Sequence, residues 1–173
     1  MDLKNAIRSI PDFPKPGIIF RDITTLLSNP EAFKQSLDEF EKYLRDKNIN
    51  RIAAIDSRGF LFGGALADRM NIPLSIIRKK GKLPFDTVSA SYELEYGTDT
   101  LEMHKDAVNP GDRVAVIDDL LATGGTLESS CRMVEELGGE VTVIGIVIEL
   151  SFLNGRSKLS QYDICALVDY ASE

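Results

Sequence analysis

"RVAVIDDLLATGGTLESSCRMV", residues 113 to 134, runs from a β-branched segment through two adjacent carboxylates and a small-residue turn. It then enters a stretch with Leu127, Cys131 and Val134 at helical spacing. Strand, tight turn and helix in that order make half of a βαβ unit. The order recurs at "RIAAI" (51–55), followed by a helix carrying Phe62, Leu66 and Met70, and further apolar runs lie at "PLSII" (73–77) and "VTVIGIVI" (141–148). Short unbroken runs of this kind, separated by helices, predict an α/β fold whose central sheet is mostly parallel and flanked by helices on both faces.

Outside this core the patterns differ. "SNPEAFKQSLDEFEKYLRDKN" (28–48) predicts a helix capped by Asn29, with Pro30 at its first position and Phe33, Leu37, Phe40 and Leu44 on one stripe. Leu3, Ile7 and Ile10 are also helically spaced, so residues 3–10 are expected to form a short helix. "PDFPKPG" (11–17) then stops it and starts a stiff extended arm. Residues 79–100 are polar, and within them "SASYELEYGTDT" (89–100) alternates Tyr92, Leu94 and Tyr96 with Glu93 and Glu95, as an exposed β-ribbon would. "QYDICALVDYASE" (161–173) reads as a final strand with a polar tail.

Composition narrows the function classes. A chain of 173 residues, 43% apolar, suits one domain with a full core. With 20 Lys and Arg against 27 Asp and Glu the net charge is −7, which disfavours a nucleic-acid partner. Cys131 and Cys165 are too far apart for a CxxC metal pair and read as reduced core residues. The single histidine, His104, excludes a histidine metal cluster and reads as an exposed residue of the polar strand "TLEMHKD" (100–106). No run reaches the ~20 apolar residues of a membrane span, and "MDLKNAIRSIPDF" does not resemble a signal peptide, so the expected location is the cytoplasm.

Three strand-to-helix turns suit anions. In the first, the strand at 113–117 is expected to end in Asp118 and Asp119. The amides of Ala122, Thr123, Gly124, Gly125 and Thr126 would then be unpaired at a helix start, with two threonine hydroxyls as further donors. The bland alternative is a Gly-Gly turn with a threonine cap. The paired acids argue against it, because adjacent carboxylates at a strand end need hydroxyl partners or a divalent ion. No GxxxxGK[ST] or GxGxxG occurs, so nucleoside triphosphates and dinucleotides lose their usual support. The second turn, "DSRGFLFGG" (56–64), offers Ser57 and an Arg58 able to grip a phosphate, and the third, "RKKGK" (78–82), gathers four cations that alone would be a solvated loop. Together the turns fit a sugar carrying phosphate at one end and diphosphate at the other.

Five blocks, "PDFPKPGIIFRDIT" (11–24), "DSRGFLFG" (56–63), "IRKKGKLP" (77–84), "SYELEYGTDTLEMHKDA" (91–107) and "VAVIDDLLATGGT" (114–126), occur in the order found in type I phosphoribosyltransferases, and the chain resembles the adenine-specific members of that family. The resemblance implies that family's fold over residues 1–173, with residues 1–30 as a hood over the base and 79–100 as a mobile catalytic loop. It implies that Ala122 to Thr126 hold the ribose phosphate, that Asp118 and Asp119 hold the ribose hydroxyls, and that Ser57, Arg58, Arg78 and Lys82 bind diphosphate. A cis peptide is implied between Asp56 and Ser57. The backbone at Ile19 and Arg21 would read the adenine edge, and Phe20 and Leu120 would sandwich the ring.

Glu95 and Tyr96 match the closing loop, with Glu95 placed to accept the imidazole-ring proton of adenine, although strand alternation puts these two residues on opposite faces. The implied reaction converts adenine and phosphoribosyl pyrophosphate to AMP and pyrophosphate through an oxocarbenium-like transition state. Mg²⁺ would ride on the donor, with no direct protein ligand, and the working form would be a homodimer. Two rivals remain at this point: a transferase for hypoxanthine, guanine or orotate, and a non-catalytic sensor of phosphoribosyl pyrophosphate.

Overall fold

In the computed structural model, which describes residues 1–94 and 97–173, the apolar runs become the strands of one sheet. An antiparallel pair, β1 (Arg8–Ile10) and β2 (Phe20–Asp22), precedes helices α1 (Thr24–Leu27) and α2 (Pro30–Arg45). Then come β3 (Arg51–Ile55), α3 (Gly59–Met70), β4 (Leu74–Lys79), the hairpin strands β5 (Thr87–Glu93) and β6 (Thr98–His104), and β7 (Arg113–Leu121). α4 (Gly125–Glu136), β8 (Glu140–Leu150) and β9 (Ile164–Tyr170) complete the order. The seven-stranded sheet runs β5-β6-β4-β3-β7-β8-β9, parallel from β4 to β9 and antiparallel where β6 and β5 extend its edge.

Strand alternation divides the core between two layers. Ile52, Ala54, Ala115 and Ile117 face α2 and α3, where Leu37, Phe40, Leu44, Phe62 and Leu66 close the first layer. Ala53, Ile55, Val114 and Val116 face the opposite way, against Leu127, Cys131 and Val134 of α4. Each large side chain buried in this way contributes about 1.5–3 kcal/mol over leaving it in water. α2 begins as its sequence indicates, Asn29 accepting hydrogen bonds from the amides of Glu31 and Ala32.

Three expectations are corrected. Leu3–Ala6 is a 3-10 turn, and residues 8–10 are strand β1, not helix. Leu3 and Ile7 are buried as their spacing implied, but pairing with β2 makes the following segment extended. β7 does not stop at Ile117: it stays paired with β8 as far as Leu121, so Asp118 and Asp119 lie inside the strand. His104 is not the exposed residue of a polar strand that "TLEMHKD" suggested. β6 lies between β5 and β4, which buries Leu101, Glu102 and Met103 and leaves His104 only partly exposed, its Nε2 accepting from the Phe85 amide at 3.3 Å. Among the described residues no helix is long and apolar enough to cross a membrane.

Candidate active site

Parallel strands carry ligands beyond their carboxyl ends, where the turns into the following helices collect. β3 and β7 are neighbours, and a cavity of about 340 Å³ opens at their ends, lined by Asp56–Arg58, Lys79, Tyr92, Asp118–Leu121 and Ala122–Leu127. Of the residues singled out from sequence, Ser57, Arg58, Asp118, Asp119, Leu120 and all five from Ala122 to Thr126 meet on this one surface.

The two acids of β7 differ. Asp118 is buried and its Oδ1 accepts the Asp119 amide at 2.8 Å. Burial, then the adjacent Asp119 charge, push its carboxyl pKa well above the usual range. Burial also raises Asp119, but here Arg58 pulls the other way, its Nε lying 2.7 Å from Asp119 Oδ2. Glycine explains how Arg58 comes so near. A Cβ on Gly59 would sit 2.8 Å from the Ile117 carbonyl oxygen and 3.1 Å from Asp118 Cα, so the start of α3 rests directly on the β7 backbone. The Asp56–Ser57 peptide before this turn is cis.

The cations of "RKKGK" are not a free loop. Arg78 and Lys79 end β4, and Arg78 Nε and Lys82 Nζ both lie 3.1 Å from Asp56 Oδ2. Burial alone would raise the Asp56 pKa, but hydrogen bonds from Lys82 and Arg78 outweigh it and hold the carboxyl below its usual value. Lys79 pairs with Asp99 at 2.8 Å, and the Tyr92 hydroxyl donates to the same carboxylate at 3.2 Å. Arg78 and Lys82 therefore border the cavity through Asp56 and do not line it.

At the Ala122–Thr126 turn, Gly124 takes φ +88° as the N-cap of α4 and supplies no side-chain acceptor, so the helix-start residues that line the cavity have no side-chain cap on their amides. Oxygen donors for a divalent ion are present in Asp118 and Asp119, although among the described residues no three His, Cys, Asp or Glu side chains gather as a cage. Such a pair suits an ion carried in on an oxyanion.

The N-terminal arm lies beside the cavity. The Phe20 ring centroid is 5.9 Å from the Arg58 guanidinium carbon, whereas the Arg21 guanidinium stacks over Tyr170 at 3.9 Å and donates to Ser9 Oγ at 2.7 Å. The Ile19 amide donates to Glu173 Oε2 at 2.9 Å. Ile19, Phe20 and Arg21 thus stand outside the lining that Leu120 joins. Glu95 and Tyr96 lie outside the described residues. Asp56, Lys79 and Tyr92 also line the cavity, although the sequence gives Asp56 and Tyr92 no ligand role and Lys79 only a place in "RKKGK". Asp56 carried a legible signal, since it follows "RIAAI" as Asp118 follows "RVAVI".

The chain matches the phosphoribosyl transferase domain over residues 22–166. It is 55% identical over 170 residues to the adenine phosphoribosyltransferase of Clostridium acetobutylicum, covering 98% of this chain and 99% of that protein. Among solved structures it is similar to the adenine phosphoribosyltransferase of Thermoanaerobacter pseudethanolicus, with TM-score 0.94, 52% identity and coverage of 97% and 98% of the two chains. It is also similar to the Saccharomyces cerevisiae enzyme complexed with an imino-altritol bisphosphate and adenine, with TM-score 0.92, 38% identity and 96% coverage of each chain.

Proposed function

The chain belongs to the phosphoribosyl transferase family, and from that membership we propose that it salvages adenine, converting adenine and phosphoribosyl pyrophosphate to AMP and pyrophosphate. The observation that carries this reading is the layout of β7: Asp118 and Asp119 lead within one strand into Ala122 to Thr126 on the wall of the same cavity. An extended chain rises about 3.3 Å per residue, which sets the acids and the turn apart by roughly the reach of a ribose 5-phosphate. The acids would take the sugar hydroxyls and the helix-start amides the phosphate.

In this reading N9 of adenine bonds to C1′ of the donor as the C1′–O bond to diphosphate breaks. The ring proton passes to a carboxylate, the role we propose for Glu95, with Tyr96 in the loop that closes over the site. Holding base and donor in line, and stabilising the charge that separates between them, supplies the catalysis. Arg58 and the Asp56-held pair Arg78 and Lys82 stand on the diphosphate side. Mg²⁺ carried in on the donor would add further charge neutralisation there. Leu120 and Phe20 would flank the base, with the Ile19 and Arg21 backbone reading its edge, residues 1–30 acting as the hood and 79–100 as the moving loop. We place the reaction in the cytoplasm, in a homodimer, without nucleic-acid or membrane partners.

An assay with donor, Mg²⁺ and each of adenine, hypoxanthine, guanine and orotate tests the proposal. AMP formation with adenine alone is expected. Turnover of another base, or donor binding without turnover of any, would overturn it.

A further inference from the structure

The phosphate turn has a back wall made by another part of the chain. Beyond β8, residues 151–153 form a 3-10 turn that ends at Asn154, which takes φ +54°, and a second 3-10 turn starts at Gly155. A Cβ on Gly124 would lie 2.7 Å from the Gly155 carbonyl oxygen. In the reverse direction, a Cβ on Gly155 would collide with the Ala122 carbonyl oxygen and lie 2.8 Å from Leu121 Cδ1. Two glycines thus let two backbones touch with no side chain between them. The positive φ of Gly124 would by itself favour glycine, but Gly155 has no such requirement, so this contact is what keeps the residue small.

The wall is itself tied down. Arg156, next to Gly155, grips Glu149 with Nε to Oε1 at 2.6 Å and Nη2 to Oε2 at 2.7 Å. The Glu149 side chain is only 7% exposed, and Glu149 is the register partner of Leu121, the last β7 residue before the phosphate turn. The guanidinium is 47% exposed, but its two-pronged grip on a buried carboxylate holds one geometry better than a single surface contact does. It fixes Gly155 relative to the strand that delivers the turn. On the other side Leu159, fully buried, anchors the segment in the layer beneath α4.

We propose that Gly155 is a positioning residue for the ribose-phosphate subsite, backing the Ala122–Gly124 turn so that its amides converge on the phosphate, and that the Glu149–Arg156 pair sets where that wall stands. This rests on the reading that the turn holds the phosphate of the substrate. Amide donors have to be placed within a fraction of an ångström to act together, so a wall displaced by one methyl group weakens anion binding and leaves the base pocket alone.

Calorimetric titration of the intact protein with AMP and with adenosine, which lacks only the phosphate, separates the two. Wild-type protein is expected to favour AMP. Gly155→Ala should lose at least about tenfold in AMP affinity while its adenosine affinity stays put. Glu149→Gln should show the same selective loss on a smaller scale, with Arg156→Lys between it and wild type because charge survives without the fork. Should Gly155→Ala fail to fold, Glu149→Gln decides by the same comparison. Variants that lose both ligands equally, or neither, would overturn the inference while the phosphate reading stands. Equal wild-type affinity for AMP and adenosine would overturn that reading and the inference with it.

Discussion

Arg58 and Asp119 meet at the cavity, Nε to Oδ2 at 2.7 Å, one from the turn before α3 and the other from within β7. Asp119 is 6% exposed, so the guanidinium is the counter-charge that lets its carboxylate ionise against the pull of burial. Removing Arg58 therefore drives the Asp119 pKa up. Arg58→Gln should lower kcat/KM by roughly a hundredfold and move the acid limb of its pH profile to higher pH. A limb that stays in place would show that the ion pair does not set the ionisation of the site.

Asp118 carries a folding cost that its proposed role would account for. Its folded pKa is raised above the unfolded value of about 3.9, so the fold holds its proton more tightly than the unfolded chain does. The residue consequently subtracts from stability as pH rises past that unfolded value, until its own folded pKa is reached. Asp118→Asn, which can still accept the Asp119 amide, should stabilise the fold by on the order of 1 kcal/mol near neutral pH. The gain should fade as pH drops below about 4. Thermal melts across pH would record this, and the double variant Asp118→Asn, Asp119→Asn should in addition lose turnover by orders of magnitude.

The arm is held at Asp22. Its carboxylate accepts from Arg8 Nε at 3.0 Å and from the Thr24 amide and hydroxyl, both at 2.9 Å, and these bonds bring its pKa down to about 2. A lowered acid contributes stability above its unfolded pKa, and the contribution is lost as pH falls through the folded value near 2. Asp22→Ala should cost about 1–3 kcal/mol in denaturant melts, and under the proposed function it should raise KM for adenine more than KM for the donor. Equal rises in both would mean that the arm does not serve the base.

Gly59→Ala tests the seat of α3 on β7. A methyl group 2.8 Å from the Ile117 carbonyl must push the helix start away, and overpacking of this kind costs roughly 1–3 kcal/mol. Because the same movement withdraws Arg58 from Asp119, turnover should fall further than the loss of stability accounts for. Kinetics measured well below the variant's melting temperature would separate the two effects.

For Glu95 the expectation is chemical. Glu95→Ala should lower kcat and flatten the limb of the pH profile that reports proton acceptance, with little change in KM for the donor. Full kcat across the pH range would remove Glu95 from the proton transfer.

What could be read from sequence follows from which contacts are local. "RIAAI" and "RVAVI" announce strands because burial on both faces leaves no polar position inside them. The end of β7 was hidden because Asp118 and Asp119 look like a strand terminus, whereas pairing with β8 carries the strand on to Leu121. Leu3, Ile7 and Ile10 follow helical spacing, yet pairing with Phe20 of β2, ten residues on, makes the backbone at Ile10 extended. The site was legible where one turn holds several donors in sequence, as at Ala122 to Thr126. It was not legible at Lys79, Tyr92 and Asp99, whose pairings depend on how the β5–β6 hairpin docks against β4.

The cavity is built from parts of unequal stiffness. Its two acids belong to β7, an interior strand of the seven-stranded sheet that leads straight into the Ala122–Thr126 turn, whereas the arm beside it is a two-stranded ribbon of three residues a side. A two-stranded ribbon, even one anchored at Asp22, deforms at less cost than a strand paired on both sides. Under the proposed function, the end of the site formed by Asp118 to Thr126 should therefore keep its shape when ligand binds, and whatever adjustment binding requires should fall to the arm.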